Sequence, residues 1–252
     1  MMKYCNDFTV LENEVVNSAF FKLRLKSERP LCEIRAGQFV ELKVQEPNSV
    51  LLRRPISIHD IDKSTNEIVL LIQKVGKGTN ILSKLKKGEK VNMIYPLGNG
   101  FECNGKSVLL VGGGVGTAPL LLLAKQFAQI GTRPKVLLGF RGKDQLMDTT
   151  EFAKYADVFI STQDGSVGEQ GLVTENSVFA QSFDAVYTCG PTPMMKAVAK
   201  SCEERNIECF VSLENKMACG IGACLCCVQQ TTSGHRCTCT EGPVFQSKEI
   251  VW

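Results

Sequence analysis

The stretch SVLLVGGGVGTAPLLLLA, Ser107–Ala124, constrains this chain more than any other segment. It carries no charge and is nearly long enough to cross a bilayer as a helix. Three consecutive glycines, Gly112 to Gly114, and then Pro119 interrupt it, so it reads instead as a buried strand, a glycine turn and a helix. Downstream, PKVLLGF, DVFI, DAVYTC and ECFVSL repeat the apolar strand at intervals of some twenty residues. Helical stretches fall between them: PLLLLAKQFAQIG starts at Pro119 and stops at Gly131, and PMMKAVAKSCEERN again starts with proline. Strands alternating with helices imply a doubly wound parallel sheet, expected over residues 101–213.

Residues 1–100 have another rhythm. QFVELKV alternates, with Val40, Leu42 and Val44 on one face. DFTVLENEVV, AFFKLRLK, PISIHD, EIVLLIQKV and EKVNMIY are similar short runs between polar or glycine breaks, with a short helix expected near Thr79–Leu85. Six such strands predict a small antiparallel barrel. Residues 214–252 remain as a cysteine-rich tail. A chain of 252 residues with 44% hydrophobic residues supports two or three such units. A net charge of only +3 gives no electrostatic case for nucleic acid or for an anionic membrane. The opening MMKYCNDFTVLENEVV lacks the apolar core of a signal peptide. With twelve cysteines, this predicts a reducing, cytoplasmic setting in which thiols serve as metal ligands more often than as disulfides.

The glycine turn offers a nucleotide site. Free backbone N–H groups and the positive end of a helix dipole meet there, and glycine lets a phosphate come close. Gly112 and Gly114 fit the G-x-G-x-x-G pattern, whereas its third position is Thr117. Gly112, Gly114, Gly116 and Thr117 are the candidate contacts, set against the simpler reading of a turn that only packs a helix. The following strand ends in GFRGKDQL with no acid directly after it, so Arg141, Lys143 and Asp144 leave NAD against NADP open on physical grounds.

MACGIGACLCC, Met217–Cys227, places four cysteines within nine residues, and Cys237 and Cys239 follow. Cys219, Cys224 and Cys227 have the C-x4-C-x2-C spacing of plant-type [2Fe–2S] ferredoxins. Gly220 and Gly222 would let loop N–H groups turn toward sulfur. Cys226 adjoins Cys227, and neighbouring residues of an extended chain point oppositely, so the two are not expected on one iron. Spacing alone does not choose between Cys237 and Cys239 for the fourth place. A four-thiolate zinc site is the competing reading, although its cysteines usually come as C-x2-C pairs. His59 and His235 stand alone and receive no catalytic role; no nucleophile constellation is visible, so the catalytic residue set is empty.

These stretches together carry a resemblance. RRPISI (Arg53–Ile58) resembles the Arg-x-x-Ser flavin motif of the ferredoxin–NADP reductase superfamily, and KVGKGT its flavin phosphate loop. YPLGNGF resembles its inter-domain stretch; GGGVGTAP, STQDGSVGEQGLVT and CGPTPMM resemble its nicotinamide-nucleotide motifs. With ACGIGACLCC and the terminal CTEGPVF, the whole chain resembles the electron-transfer subunits of class 1B dihydroorotate dehydrogenases. The resemblance implies FAD in the barrel, lined by Arg54, Pro55, Ile56 and Ser57, flanked by Leu71, Ile72 and Gln73, with Gly78 and Thr79 at its phosphates. It implies NAD in the sheet domain, with Cys189, Gly190 and Pro191 beside the glycine turn. It implies a [2Fe–2S] cluster on Cys219, Cys224, Cys227 and, as the family's last ligand, Cys239. A partner is implied too: the FMN-containing catalytic subunit that oxidises dihydroorotate in pyrimidine biosynthesis, two copies of each chain forming a heterotetramer. A related ferredoxin–NAD(P) or sulfide dehydrogenase flavoprotein subunit is the alternative.

Overall fold

The computed structural model describes residues 2–45 and 50–252. The first six strands are β1 (Tyr4–Val15), β2 (Phe20–Ser27), β3 (Phe39–Leu42), β4 (Arg54–Asp62), β5 (Glu67–Gln73) and β6 (Lys90–Leu97). They close into a barrel in the order β1-β2-β5-β4-β3-β6, every neighbouring pair antiparallel. All six are the runs expected from alternation. The short helix α1 spans Lys77–Leu82, slightly earlier than expected, because the Thr79 hydroxyl reaches back to the Val75 and Gly76 N–H groups and starts the helix there.

β3 shows how the barrel meets the rest of the chain. Val40 and Leu42 join the barrel core. Phe39 and Glu41 alternate to the opposite face, yet are only 3% and 0% exposed. The C-terminal tail covers that face: Phe39 shares an apolar cluster with Leu97, Cys227 and Cys239, and Gly220 presses onto the Glu41 side chain.

The second unit contains β7 (Val108–Gly113), α2 (Leu120–Gln129), β8 (Lys135–Phe140), α3 (Thr150–Ala153), β9 (Asp157–Thr162), β10 (Glu169–Gln170), β11 (Ala185–Cys189), α4 (Thr192–Glu204) and β12 (Glu208–Ser212). The uncharged run Ser107–Ala124 is thus β7, a 3-10 turn at Gly114–Thr117, and α2; among the described residues no helix is long and apolar enough to cross a membrane. The sheet runs β10-β9-β8-β7-β11-β12, all parallel. Leu120–Ala124 and Phe127 of α2 continue the barrel core, while Val198, Ala199 and Cys202 of α4 bury a second core on the other face. Strand order reverses between β7 and β11, and the crevice beyond their carboxyl ends is where an open α/β sheet receives a ligand.

The tail holds elements that spacing did not announce. β13 (Val228–Thr231) and β14 (Gly234–Cys237) form an antiparallel hairpin, and β15 (Val244–Gln246) adds antiparallel to β12 as the sheet's seventh strand. The tail therefore packs partly on its own sheet, while Ile221 and Leu225 on its loop stay 43% and 64% exposed.

Candidate functional site

A cavity of about 610 Å³ lies at the switch point of the sheet. Gly113, Gly114, Val115 and Gly116 form one wall, and Gly190, Pro191 and Thr192, at the start of α4, form another. Arg141, Gln145, Gln163 and Leu172 line its far end. The glycines act differently. Gly114 has φ +54° with open space where a side chain would go. Gly116 has none: a methyl group there would sit on the Cys189 carbonyl and 2.5 Å from Gly190 Cα. Gly112 does not line the cavity; it makes room for Leu120 and Thr117, each 2.9 Å from where a side chain would begin. Thr117 and Cys189 also lie behind the wall. The Thr117 hydroxyl donates to the Gly114 carbonyl at 3.0 Å, locking the turn, and burial pushes the Cys189 thiol up, keeping it an inert packed group.

A second cavity, about 380 Å³, opens on the barrel. Arg54, Pro55, Ile56 and Ser57 of β4, Leu71, Ile72 and Gln73 of β5, and Thr79 of α1 all line it. The pairing of β4 with β5 puts these distant stretches side by side. Gly78 lies under the Arg54 side chain, whose Cδ would be 3.0 Å from a methyl group there. Arg54 donates to the Leu52 and Arg53 carbonyls at 2.8 and 2.9 Å, which orients the guanidinium and leaves further N–H donors free. Thr79 spends its hydroxyl on the helix start, so its contribution to a phosphate is the backbone it shapes.

The two cavities share three residues: Gln73, Val115 and Glu214. Glu214 stands two residues past the end of β12 and lines both cavities, where loss of surrounding water pushes its carboxyl up. The sequence reading missed Glu214, and with it Phe39, Met217 and Pro243 of the barrel cavity's wall. An acid just past the last parallel strand was the available signal for Glu214. The others are ordinary core residues until the tail folds over them.

Beyond the barrel cavity lie the thiols. Cys219 contacts Cys224, and Cys227 contacts both Cys239 and Cys237. The Cys239 N–H donates to Cys227 Sγ at 3.4 Å and the Cys226 N–H to Cys224 Sγ at 3.5 Å. Cys224 and Cys226 are both exposed, with Leu225 at φ +58° between them, while Cys227 is buried. Burial would raise the Cys219 thiol, but backbone N–H groups of Ile221, Cys224 and Ala223, together with the Cys224 thiol, outweigh it and bring it down to about 6. Burial and the Cys227 thiol push Cys239 up to about 12, while the Gly222 N–H favours its thiolate. Among the described residues no three such groups converge on a point that would hold one metal ion. The thiols instead gather as two neighbouring groups, Cys219 with Cys224 and Cys227 with both Cys237 and Cys239, an arrangement that offers thiolates to two irons rather than to one tetrahedral zinc.

The loop sits on an unusual floor. Both Glu41 carboxylate oxygens are buried without a hydrogen-bond partner. Burial pushes this carboxyl up to about 7, against the pull of the Arg54 and Arg53 guanidiniums. Gly220, at φ +66°, comes so near that a methyl group on it would lie 2.6 Å from Glu41 Cγ. On the loop's outer side, the Lys3 ammonium donates to the Ile221 carbonyl at 3.2 Å.

Three family models match. The oxidoreductase FAD-binding domain covers residues 7–101, the oxidoreductase NAD-binding domain 110–200, and the iron-sulfur cluster binding domain of dihydroorotate dehydrogenase B 214–251. The chain is 43% identical to the dihydroorotate dehydrogenase B (NAD(+)) electron transfer subunit of Clostridium acetobutylicum, over 96% of this chain and 95% of that one. It is 38% identical to the subunit of the same name from Fusobacterium nucleatum, over 97% of each. Among solved structures, a chain of the NADH-dependent reduced ferredoxin-NADP oxidoreductase superposes with a TM-score of 0.88 at 30% identity, covering 97% of this chain and 90% of that one.

Proposed function

This chain belongs to the family of dihydroorotate dehydrogenase B electron-transfer subunits, and from that premise we propose that it carries electrons from an FMN-containing catalytic subunit to NAD+ in pyrimidine biosynthesis. The observation that carries the reading is the order of compartments. The sheet crevice adjoins the barrel cavity through Gln73, Val115 and Glu214, and the barrel cavity adjoins the thiol cluster. Flavin exchanges electrons singly or in pairs, an iron–sulfur cluster singly and nicotinamide as hydride, so FAD belongs in the middle compartment. Dihydroorotate gives up two electrons and two protons on the partner to become orotate; NAD+ takes up both electrons and one proton here.

The chain's own residues bind and orient. Arg54 supplies a fork of donors matched to phosphate, and Ser57 offers a hydroxyl to the flavin ring. Gly114 and Gly116 let the dinucleotide approach the turn, with Gly190 and Pro191 opposite. Cys219, Cys224, Cys227 and Cys239 are the proposed cluster ligands. The twelve unpaired thiols support a cytoplasmic setting, and the exposed Ile221 and Leu225 support a docking face for the partner, in an assembly of two copies of each chain.

The test is orotate-dependent oxidation of NADH by the purified chain mixed with the FMN-containing subunit, with native mass determination of the complex. Coupled turnover is expected. A chain that carries FAD and iron and oxidises NADH, yet never responds to orotate with that subunit, would refute the assignment. It would favour instead a related ferredoxin–NAD(P) flavoprotein subunit, the reading supported by the 30% identical solved structure.

A further inference from the structure

Among the described residues, only two side chains belong both to the wall of the barrel cavity and to the apolar cluster that holds Cys227 and Cys239: Phe39 and Met217. They come from opposite ends of the chain. Phe39 is 3% exposed and held on both sides by backbone pairing, to Ser57 of β4 and to Leu97 of β6. Met217 stands two residues before the first proposed ligand, Cys219, and packs against the same cluster. An aromatic ring fixed in a sheet and an adaptable thioether make a wall with few voids.

We propose that Phe39 and Met217 form the packed layer through which single electrons cross between the flavin cavity and the cysteine cluster. This deepens the function proposed above and rests on it. Each crossing moves one electron and makes or breaks no bond; two crossings deliver the pair that, with one proton, converts NAD+ to NADH. Tunnelling through packed atoms is faster than through a void of the same width, so the layer acts by filling space and by setting the separation of the two sites. Both are positioning residues, since their part is to hold a medium and a distance.

The experiment uses the full chain loaded with FAD and iron, as Met217→Ala, Met217→Leu and Phe39→Leu. Iron and FAD contents and both midpoint potentials are measured first. Anaerobic rapid mixing with NADH then follows flavin bleaching, and freeze-quenched samples follow the EPR signal of the reduced cluster. In Met217→Ala we expect normal cofactor contents, unchanged potentials and normal flavin bleaching. Growth of the cluster signal should slow severalfold, because a void takes the place of packed atoms between the two sites. Met217→Leu, a volume-conserving swap, should restore it to within about twofold. Phe39→Leu should slow the same step alone. Wild-type cluster reduction in fully loaded Met217→Ala and Phe39→Leu would overturn the proposal. So would a slowing explained by shifted potentials, or loss of iron or FAD in Met217→Ala, which would make the residue a structural wall. Failure of the underlying function would look different: the unmutated chain, loaded with flavin and iron, would pass electrons from NADH to its cluster yet never respond to orotate with the FMN-containing subunit.

Discussion

Gly116→Ala adds one methyl group where the chain has no room for it. The new carbon would fall on the Cys189 carbonyl and 2.5 Å from Gly190 Cα. Carbon atoms normally settle about 3.5–4.0 Å apart, so one wall must move by about 1 Å. Both colliding partners are backbone, one in the 3-10 turn after β7 and the other at the end of β11, and no rotamer change relieves them. Overpacking of this kind costs about 1–3 kcal/mol. For a chain of this size that lowers the thermal midpoint by roughly 2–4 °C per kcal/mol. The displaced walls are those of the sheet cavity, so the Km for NADH should rise on the order of tenfold or more. FAD and iron contents should hold, since the barrel and the thiols are untouched. Gly114→Ala is the comparison: its methyl group meets no protein atom, so folding loses only the roughly 1–2 kcal/mol of the left-handed backbone at φ +54°, while the methyl group itself enters the cavity. Thermal melts with NADH titration of flavin bleaching make the comparison. A Gly116→Ala protein with an unchanged melt and unchanged Km would refute the claim that close backbone packing builds this pocket.

His59 is buried, and its Nδ1–H donates to the Ala118 carbonyl at 2.7 Å. Burial pushes its pKa from 6.5 down to about 4, although that hydrogen bond favours the cation. The folded state thus holds the neutral ring, full stability is present above pH 6.5, and roughly 3 kcal/mol should be lost as pH falls from 6.5 to 4. Denaturant melts of the wild type and His59→Gln across that range check it, the variant losing this part of the slope. Cys219→Ser, Cys224→Ser, Cys227→Ser and Cys239→Ser should each lose or badly destabilise the cluster, while Cys226→Ser and Cys237→Ser keep two irons per chain by iron assay and visible spectrum. Bleaching by Cys237→Ser together with retention in Cys239→Ser would reverse the choice of fourth ligand. Arg54→Ala should weaken FAD binding by about 1.5–3 kcal/mol, read by flavin retention on dialysis.

Periodicity alone determined much of this molecule. Alternation marked all six barrel strands, and the strand–glycine–helix run from Ser107 marked the parallel sheet and its crevice. Both are local signals, because side chains on a strand or helix face repeat with a fixed period. The C-x4-C-x2-C spacing likewise marked the loop whose thiols lie together. Only the tertiary structure decided what lies between these parts. Phe39 and Glu41 occupy the polar-facing phase of β3, where a lone barrel would meet water, and nothing in QFVELKV announces that a tail two hundred residues away buries them. The difference among the three glycines at 112, 114 and 116 is just as invisible in sequence. It depends on which backbone crosses overhead, and β11 arrives beside β7 from more than seventy residues downstream. Local patterns report which way a side chain points; what it meets there is set by chain crossings that no short window of sequence contains.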